Sequence, residues 1–341
     1  MPPGTLLANR IIVYCGERSP WGDAVQGSTQ LMRILVTGAA GFIGSHVAEA
    51  FHRAGHEVVG LDNLSTGKRE NLPSEINLVV MDLADEARLE TLFRDFQPEV
   101  VSHHAAQVNV RVSWDKPAED ARANILGSLA LLGQATRGGI QKIIYSSSGG
   151  AAYGEPTRLP VAEDHPVHPL SNYGVSKYAT ELYLRSFQAS GGLRYVILRY
   201  PNVYGPRQDP HGEAGVVAIF TMQFLQGEQP RIFGDGSKTR DYLYIDDIVD
   251  ANLRALNHQD CGVFNLGWGK EITDLEVFQA VRDAVGSTVE PVFEQKRPGE
   301  IDHISLDATQ ARKVLGWEPR IDFREGVKRV VADWRQKLGC G

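Results

Sequence analysis

The sequence predicts an α/β protein with a doubly wound parallel sheet and a smaller mixed α/β lobe. Short apolar runs rich in Val and Ile alternate with longer helical segments from residue 33 onward, and several of these runs are apolar on both faces. Runs of that kind are typical of parallel strands covered by helices on both sides. Strands that alternate with helices imply βαβ units. The regularity ends after Tyr200.

The elements follow in order along the chain. We expect strands at Arg33–Thr37, Glu57–Leu61, Asn77–Met81, Val100–His104, Lys142–Ser146 and Arg194–Arg199. The spacing of apolar residues predicts helices at 42–54, 86–96, 117–137 and 173–190. Prolines and glycines cluster just after Tyr200. We therefore expect a first domain at 32–200 and a smaller lobe at 201–341. That lobe contains a strand at Val263–Leu266, and its segment Tyr242–Ala255 returns to the first domain.

Residues 1–31 differ from the rest, because they show no sustained period. Met32 opens the first strong apolar run, and we expect it to be the natural first residue. On this interpretation residues 1–31 are an upstream mis-start, an appended remnant or a loose extension. The alternative is an additional strand, Ile11–Tyr14, at the edge of the sheet.

Composition excludes several classes of protein. The chain has 341 residues, 42% of them hydrophobic and 23% charged, which is ordinary globular usage. A net charge of −7 gives no general electrostatic reason to bind nucleic acid or an anionic membrane. The cysteines (Cys15, Cys261 and Cys340) are odd in number and far apart. This usage suits a reducing cytoplasm and argues against a disulfide framework or a metal site.

A glycine-rich turn follows the first strand and opens the first helix. Gly38, Gly41 and Gly44 allow a tight turn, a close approach to a diphosphate and close packing of helix on strand. The N-terminus of the helix then faces the phosphates. Asp62 ends the second strand, where a carboxylate binds the ribose hydroxyls and repels a 2′-phosphate. The sequence therefore predicts a Rossmann domain that binds NAD in preference to NADP, although Lys68 lies nearby.

A second motif carries acid–base chemistry. Tyr173 and Lys177 lie one turn apart on one face of a predicted helix, which Ser171 or Asn172 can cap. A free tyrosine has a pKa near about 10, and a neighbouring ammonium favours its phenolate. The pair is thus a minimal device for taking a proton from an alcohol.

These motifs together resemble the extended short-chain dehydrogenase/reductases. The spacing is GxxGxxG rather than GxGxxG, and the Tyr–Lys pair follows a Ser-rich fifth strand. The resemblance covers about residues 32–337 and is strongest to nucleotide-sugar 4-epimerases of the NAD-dependent epimerase/dehydratase family. It implies transient oxidation at C4 of a UDP-sugar of the glucose or galactose type, followed by return of the hydride to the opposite face. It also implies a homodimer through the helices near 117–137 and 173–190.

The resemblance implies roles for named residues. The catalytic residues are Tyr173, Lys177 and Ser148, with Ser147 as an alternative hydroxyl. The residues expected to bind NAD are Gly38, Gly41, Phe42, Ile43, Gly44, Asp62, Asn63, Ser65, Thr66, Gly67, Asp82, Leu83, His104, Ala105, Ala106, Gln107, Asn124, Tyr173, Lys177 and Pro201. Those expected to bind the nucleotide sugar are Ser148, Asn202, Arg240, Arg297 and Asp302.

Other reactions on the same fold stay open as alternatives. They are epimerisation of UDP-glucuronate or UDP-N-acetylhexosamine, decarboxylation and keto-reduction. A dehydratase is disfavoured, because Gly149 and Gly150 stand where that class carries an Asp-Glu pair. A non-catalytic NAD-binding sensor is disfavoured, because it needs no Tyr173–Lys177 pair.

Overall fold

A computed structural model describes residues 30–211, 215–296 and 301–339. The expectations for residues 1–29, including the Ile11–Tyr14 alternative, and for Arg297 lie outside these residues. The strands are β1 (Arg33–Thr37), β2 (Glu57–Asp62), β3 (Asn77–Val80), β4 (Val100–His103), β5 (Lys142–Ser148), β6 (Arg194–Tyr200), β7 (Asn202–Tyr204), β8 (Arg231–Phe233), β9 (Thr239–Arg240), β10 (Tyr242–Tyr244), β11 (Gly262–Asn265), β12 (Ile272–Thr273) and β13 (Val292–Glu294). The α-helices are α1 (Phe42–Arg53), α2 (Glu86–Phe96), α3 (Val110–Asp115), α4 (Pro117–Ala121), α5 (Gly127–Arg137), α6 (Gly149–Ala152), α7 (Asn172–Gly191), α8 (Val216–Leu225), α9 (Ile245–Asn257), α10 (Asp274–Val285) and α11 (Phe323–Leu338).

Seven parallel strands form the main sheet, in the order β11-β6-β5-β4-β1-β2-β3. The predicted doubly wound parallel sheet is confirmed. The expectation that Val263–Leu266 belongs to the smaller lobe is wrong, because this run forms β11 and pairs with β6, with Phe264 opposite Leu198. Its pairing partner lies more than sixty residues earlier in the chain, and no local pattern indicates such a contact.

The core lies on both faces of this sheet. Ile34 and Val36 of β1 point to one face and pack with buried residues of α1 and α9, whereas Leu35 points to the other face and packs with buried residues of α2, α5 and α7. Alternate residues of a strand point to opposite faces, so a strand that is apolar throughout requires a helical layer on each side.

The helix expected at 117–137 is interrupted. Between α4 and α5, residues Arg122–Leu126 form a turn of π-helix, and a separate short helix, α3, precedes them. Turns of π-helix are common at functional sites. Asn124, predicted to contact the cofactor, lies in this turn.

The smaller lobe contains three two-stranded sheets: β7 with β10, β8 with β13, and β9 with β12. Helices α8, α10 and α11 pack together beside them. Helix α9 packs against α1 and so returns to the main sheet. In the part of the chain that the structure describes, no helix is long and apolar enough to cross a membrane.

Buried hydrogen bonds join the smaller lobe to the main sheet. The carboxylate of Asp241, which is 1% exposed, accepts hydrogen bonds from the backbone N–H groups of Trp268 (3.1 Å), Gly269 (2.9 Å) and Leu306 (3.1 Å). Leu306 in turn forms a parallel β-bridge with Val161. These contacts hold the Asp241 side chain against the residues that follow β11 and against Leu306.

Candidate active site

The glycine turn joins the end of β1 to the start of α1. Gly38 has a φ of +66°, and a Cβ at this position would lie 2.6 Å from the backbone nitrogen of Ala105. A Cβ on Gly44 would lie 2.1 Å from the carbonyl oxygen of Gly38. No side chain caps α1 at Gly41, so the N–H groups of its first turn, Phe42–Gly44, can face an anion. The turn therefore has the space and the donors that a dinucleotide diphosphate needs.

The segment after β2 folds back over this turn. Asp62 accepts hydrogen bonds from the backbone N–H groups of Ala40 (2.9 Å) and Leu64 (2.8 Å), one on each carboxylate oxygen. A Cβ on Gly67 would lie 2.9 Å from the carbonyl carbon of Ala40. Each carboxylate oxygen keeps a lone pair for a ribose hydroxyl. Asp62 and Gly67 thus lie against the glycine turn. The other predicted residues of this loop lie between them in the chain: Asn63, Ser65 and Thr66.

The end of β3 lies next to this loop. The Asn63 side chain donates to the Asp82 carboxylate at 3.4 Å. Leu83 is buried, and a Cβ on Gly127 would lie 3.2 Å from its own Cβ. Asp82 and Leu83 are thus placed between the loop after β2 and α5.

The residues His104–Gln107 follow β4 and lie beside the glycine turn. The backbone N–H groups of His104 and Ala105 both donate to the Thr37 hydroxyl at 3.2 Å. The backbone N–H of Gln107 donates to the Asn124 side chain at 2.7 Å. The turn is therefore held by β1 at one end and by the π-helical turn at the other.

Asn124 also reaches α7. Its Nδ2 donates to the Ser176 hydroxyl at 3.0 Å and to the Asp120 carboxylate at 3.1 Å. One buried amide thus ties the segment after β4 to α7. In this position Asn124 orders the segments around the site, and its predicted contact with NAD stays a prediction.

Helix α7 carries Tyr173 and Lys177 one turn apart. Its N-terminus is capped by Ser171, whose hydroxyl accepts a hydrogen bond from the backbone N–H of Gly174 at 3.1 Å. A Cβ on Gly174 would lie 2.5 Å from the carbonyl oxygen of Ala151 in α6. Glycine here lets α7 approach α6 closely, so the first turn of α7, with Tyr173, lies next to the end of β5.

Lys177 is buried, and its surroundings change its pKa. Its Nζ lies 4.5 Å from the centroid of the Tyr145 ring. Burial lowers the pKa of Lys177 to about 7, while Glu181 and then Asp120 raise it. Burial, followed by the charge of Lys177, lowers the pKa of His104 to about 3, so His104 is neutral at physiological pH.

The three serines at the end of β5 have different partners. The Ser146 hydroxyl donates to the carbonyl oxygen of His103 at 3.0 Å, and the Ser147 hydroxyl donates to the Glu181 carboxylate at 2.6 Å. Ser148 ends the strand, and alternation along the strand directs it away from the face that Ser147 uses. Because the Ser147 hydroxyl is engaged, this geometry favours Ser148 as the reacting hydroxyl.

Two glycines shape the space beside Ser148. A Cβ on Gly149 would lie 2.4 Å from a methyl carbon of Leu306, so a larger residue there would require the Leu306 side chain to move. A Cβ on Gly150 would lie 3.7 Å from the side-chain oxygen of Asn202 and 4.0 Å from the Ser148 hydroxyl. Ser148 and Asn202 therefore flank the same small region.

The smaller lobe brings further predicted residues towards this region. Asn202 follows Pro201 directly and begins β7, and its backbone N–H donates to the carbonyl oxygen of Asp241 at 3.0 Å. Asn202 pairs with Tyr242 of β10. The chain that carries Arg240, two residues before Tyr242, thus runs beside the chain that carries Asn202.

Arg240 and Asp302 lie in one cluster. The Arg240 guanidinium donates to the carbonyl oxygen of Thr239 at 2.7 Å, and the backbone N–H of Thr239 donates to the carbonyl oxygen of Asp302 at 2.9 Å. The Asp302 carboxylate forms an ion pair with Lys296 at 2.6 Å. A cavity of about 300 Å³ opens here, lined in part by Ser237, Lys238, Lys296, Asp302 and His303. Asp302 is among the residues predicted from the sequence, whereas Lys238 and Lys296 are not, and Arg297 lies outside the described residues.

A buried ion pair behind Lys177 was also missed. The Arg199 guanidinium and the Glu181 carboxylate are 2.6 Å apart, and their side chains are 2% and 0% exposed. Arg199 also donates to the Tyr153 hydroxyl at 2.6 Å, and Tyr153 donates to the Asn265 side chain at 2.8 Å. Two signals could have indicated the pair. Glu181 stands four residues after Lys177 on the same helix. Arg199 is a charged residue that directly follows the apolar run Val196–Leu198 of β6.

Comparisons with known proteins agree with this geometry. Residues 34–267 match the model of the NAD dependent epimerase/dehydratase family. The chain is 46% identical over 312 residues to the UDP-glucose 4-epimerase of Mycolicibacterium smegmatis. The alignment covers 90% of this chain and 99% of that protein.

Solved structures are similar over the same length. The UDP-glucose 4-epimerase of Thermotoga maritima with UDP-glucose has a TM-score of 0.89 and 48% identity, covering 90% of this chain and 100% of that one. The Thermus thermophilus UDP-glucose 4-epimerase in complex with NAD has a TM-score of 0.85 and 44% identity, covering 89% and 99%. The resemblance carried by the glycine turn and the Tyr–Lys pair is confirmed, and the chain belongs to the NAD-dependent epimerase/dehydratase family.

Proposed function

We propose that the chain is a nucleotide-sugar 4-epimerase that interconverts UDP-glucose and UDP-galactose. The observation that carries the proposal is the first turn of α7, where Tyr173 lies one turn from the buried ammonium of Lys177 and next to the strand end that carries Ser148. The near full-length similarity to UDP-glucose 4-epimerases supports the same reaction.

The residues present fit NAD. The first turn of α1, Phe42–Gly44, which no side chain caps, offers backbone N–H groups to the diphosphate, and the Asp62 carboxylate suits the two ribose hydroxyls and repels a 2′-phosphate. The turn His104–Gln107 and Lys177 would hold the nicotinamide half. When bound, NAD supplies the hydride acceptor for C4 of the sugar and, once reduced, the hydride donor.

Tyr173 moves the proton in this proposal. A tyrosine with an ordinary pKa of about 10 is a poor base at neutral pH, but the positive charge of Lys177 favours the phenolate. The phenolate oxygen of Tyr173 accepts the proton of the C4 hydroxyl and later returns it to the oxygen on C4. The Ser148 hydroxyl donates a hydrogen bond to that oxygen while the carbonyl exists. The sugar undergoes no net oxidation.

The smaller lobe holds the rest of the substrate. We assign the diphosphate to Asn202, Arg240 and Arg297, because planar guanidinium groups match the geometry of phosphate oxygens. Asp302 lies in the same cluster and orders Lys296 beside the cavity. Once C4 is a carbonyl, the sugar turns about its link to the anchored diphosphate and presents its opposite face.

Replacement of the proposed base tests this assignment. We expect Tyr173→Phe to lower kcat for UDP-galactose by about 10²–10⁴-fold, since the phenylalanine cannot accept a proton. Conversion is followed by NMR, which distinguishes the galactose and glucose configurations at C4. The same assay on a panel of UDP-sugars covers the alternatives, including UDP-glucuronate and UDP-N-acetylhexosamines.

Tyr178→Phe is the matched control, because it removes a hydroxyl from the same helix outside the proposed site. We expect it to retain kcat. Unchanged turnover in Tyr173→Phe would refute the proton-transfer role. Wild-type protein that is inert towards every pair of C4 epimers would point to one of the other nucleotide-sugar reactions.

We also propose that the chain forms a homodimer. Helix α3, residues 122–126 and α7 pack against one another and expose large apolar side chains. This apolar patch consists of Val110, Trp114, Leu126, Val175 and Leu182. Exposed apolar side chains grouped on adjacent helices are typical of subunit interfaces.

A cytoplasmic location is proposed on chemical grounds. Cys261 is exposed and free. A free exposed thiol suits a reducing compartment. Fractionation of cells that express the protein, with immunodetection in the cytosolic fraction, tests the location.

A further inference from the structure

We propose that Glu181 is a positioning residue of the epimerase reaction, which keeps Lys177 protonated while Arg199 and Ser147 fix its carboxylate in place. This inference rests on the proposed function. It assigns a role in catalysis to a side chain that is fully buried.

The Glu181 carboxylate is fully buried and held by three donors. Arg199 donates to it from Nε at 2.9 Å and from Nη2 at 2.6 Å, and the Ser147 hydroxyl donates at 2.6 Å. A guanidinium that donates two hydrogen bonds to one carboxylate holds that carboxylate in a fixed orientation. The three bonds also tie α7 to β5 and β6, so the position of the negative charge relative to Lys177 is fixed.

Few charges lie near Lys177. One of them is the positive charge of Arg199, which is paired with the Glu181 carboxylate. The titratable groups around it are Tyr173 and Glu181 on its own helix, and Asp120, His103, His104 and Tyr145 on the elements packed against it. Burial lowers the pKa of both histidines and raises that of Tyr145, so all three are neutral near pH 7. The negative charges that remain are Glu181 and Asp120, and Glu181 raises the pKa of Lys177 more.

The consequence is a dependence of activity on pH. An ammonium loses its proton as the pH rises through its pKa, and Lys177 must be charged to favour the Tyr173 phenolate. Burial already lowers the pKa of Lys177 to about 7. Without the Glu181 charge the pKa falls further, and activity is lost at a lower pH. This loss of activity is the alkaline limb of the pH profile. Removal of an ion pair that served stability alone would not move this limb.

The experiment compares pH profiles of kcat for UDP-galactose. We expect Glu181→Gln to move the alkaline limb to lower pH by about one unit, with KM little changed. Glu181→Gln leaves the Arg199 guanidinium buried without its partner, which endangers folding. The double variant Glu181→Gln/Arg199→Gln removes both charges and is expected to move the limb in the same direction by a smaller amount, since the loss of the Arg199 cation offsets part of the effect.

Two further variants control for local structure. Ser147→Ala removes a hydrogen bond to the carboxylate but not its charge, so its alkaline limb should stay at the wild-type position. Glu181→Asp keeps the charge and should restore the limb relative to Glu181→Gln. Circular dichroism and the melting temperature establish that each variant is folded.

An unmoved alkaline limb in a folded charge-removing variant would overturn the proposal. Loss of folding in both Gln variants, with Glu181→Asp folded and active, would assign the pair to stability alone and would also overturn it. The proposed function fails differently, through wild-type protein that is inert or a Tyr173→Phe variant that is fully active.

Discussion

The missing side chain of Gly44 sets how closely α1 approaches the turn before it. A Cβ there would lie 2.1 Å from the Gly38 carbonyl oxygen, and no change of rotamer relieves a contact with backbone. We expect Gly44→Ala to lower the free energy of unfolding by about 1–3 kcal/mol. It should also weaken NAD binding, because the first turn of α1 must shift. Urea denaturation and the NAD content of the purified protein measure the two effects.

Gly133 in α5 provides the matched control. The nearest atoms to a Cβ there belong to the flexible Arg137 guanidinium, at 3.7 Å. Alanine is the better helix former, so Gly133→Ala should be neutral or stabilise by up to about 1 kcal/mol. Equal losses in the two variants would show that the close approach at Gly44 is not the cause.

At the scale of residues, the sequence predicts what is local. The glycine spacing and the Tyr173–Lys177 pair are visible because both depend on a few consecutive residues of one turn or one helix. The choice between Ser147 and Ser148 depends on which serine meets Glu181, a contact between β5 and α7 that no local pattern indicates.

One side chain joins the start of β5 to the end of α9. The buried Lys142 Nζ donates to the carbonyl oxygens of Ala255 (3.0 Å), Leu256 (2.8 Å) and His258. The last carbonyls of a helix have no partner within the helix, and a cation there also meets the negative end of its dipole. Lys142 thus acts as a distant C-cap for α9.

We expect Lys142→Met to lower the free energy of unfolding by about 3 kcal/mol, because the buried carbonyls lose a charged donor. Urea denaturation measures the loss. Lys116 pairs with Glu119 at the surface, so Lys116→Met should change stability by less than about 1 kcal/mol. A Lys142→Met variant as stable as the wild type would contradict the capping role.

At the scale of elements, strand positions are predictable within one or two residues where Val and Ile recur. The interruption of the 117–137 helix is not, since the π-helical turn allows the contacts of Asn124 with Gln107 and Ser176. The place of β11 in the main sheet was also missed, because a short apolar run gives no indication of its pairing partner.

The whole molecule is expected to be a dimer through the apolar patch. Leu182 lies on the exposed side of α7, and a charge there would be buried on association. We therefore expect Leu182→Glu to convert the dimer to a monomer in sedimentation or light-scattering measurements.

Val314 is equally exposed but lies in the turn Ala311–Leu315, away from the patch. Val314→Glu should leave the oligomeric state unchanged. A wild-type protein that is monomeric at micromolar concentration, or a Leu182→Glu variant that stays dimeric, would contradict the proposed interface.

Asp241 stands between the proposed phosphate ligand Arg240 and the strand β10, and its carboxylate is bonded to Trp268, Gly269 and Leu306. Arg240, the proposed anchor of the substrate diphosphate, is thereby linked through Asp241 to the residues that follow β11. Strand β11 belongs to the main sheet, on which α7 with the proposed base Tyr173 also packs. The distance between Arg240 and Tyr173 should therefore stay constant throughout turnover. Inversion of configuration then comes from torsional freedom within the ligand, and no hinge in the polypeptide is needed to expose the second face of the ring.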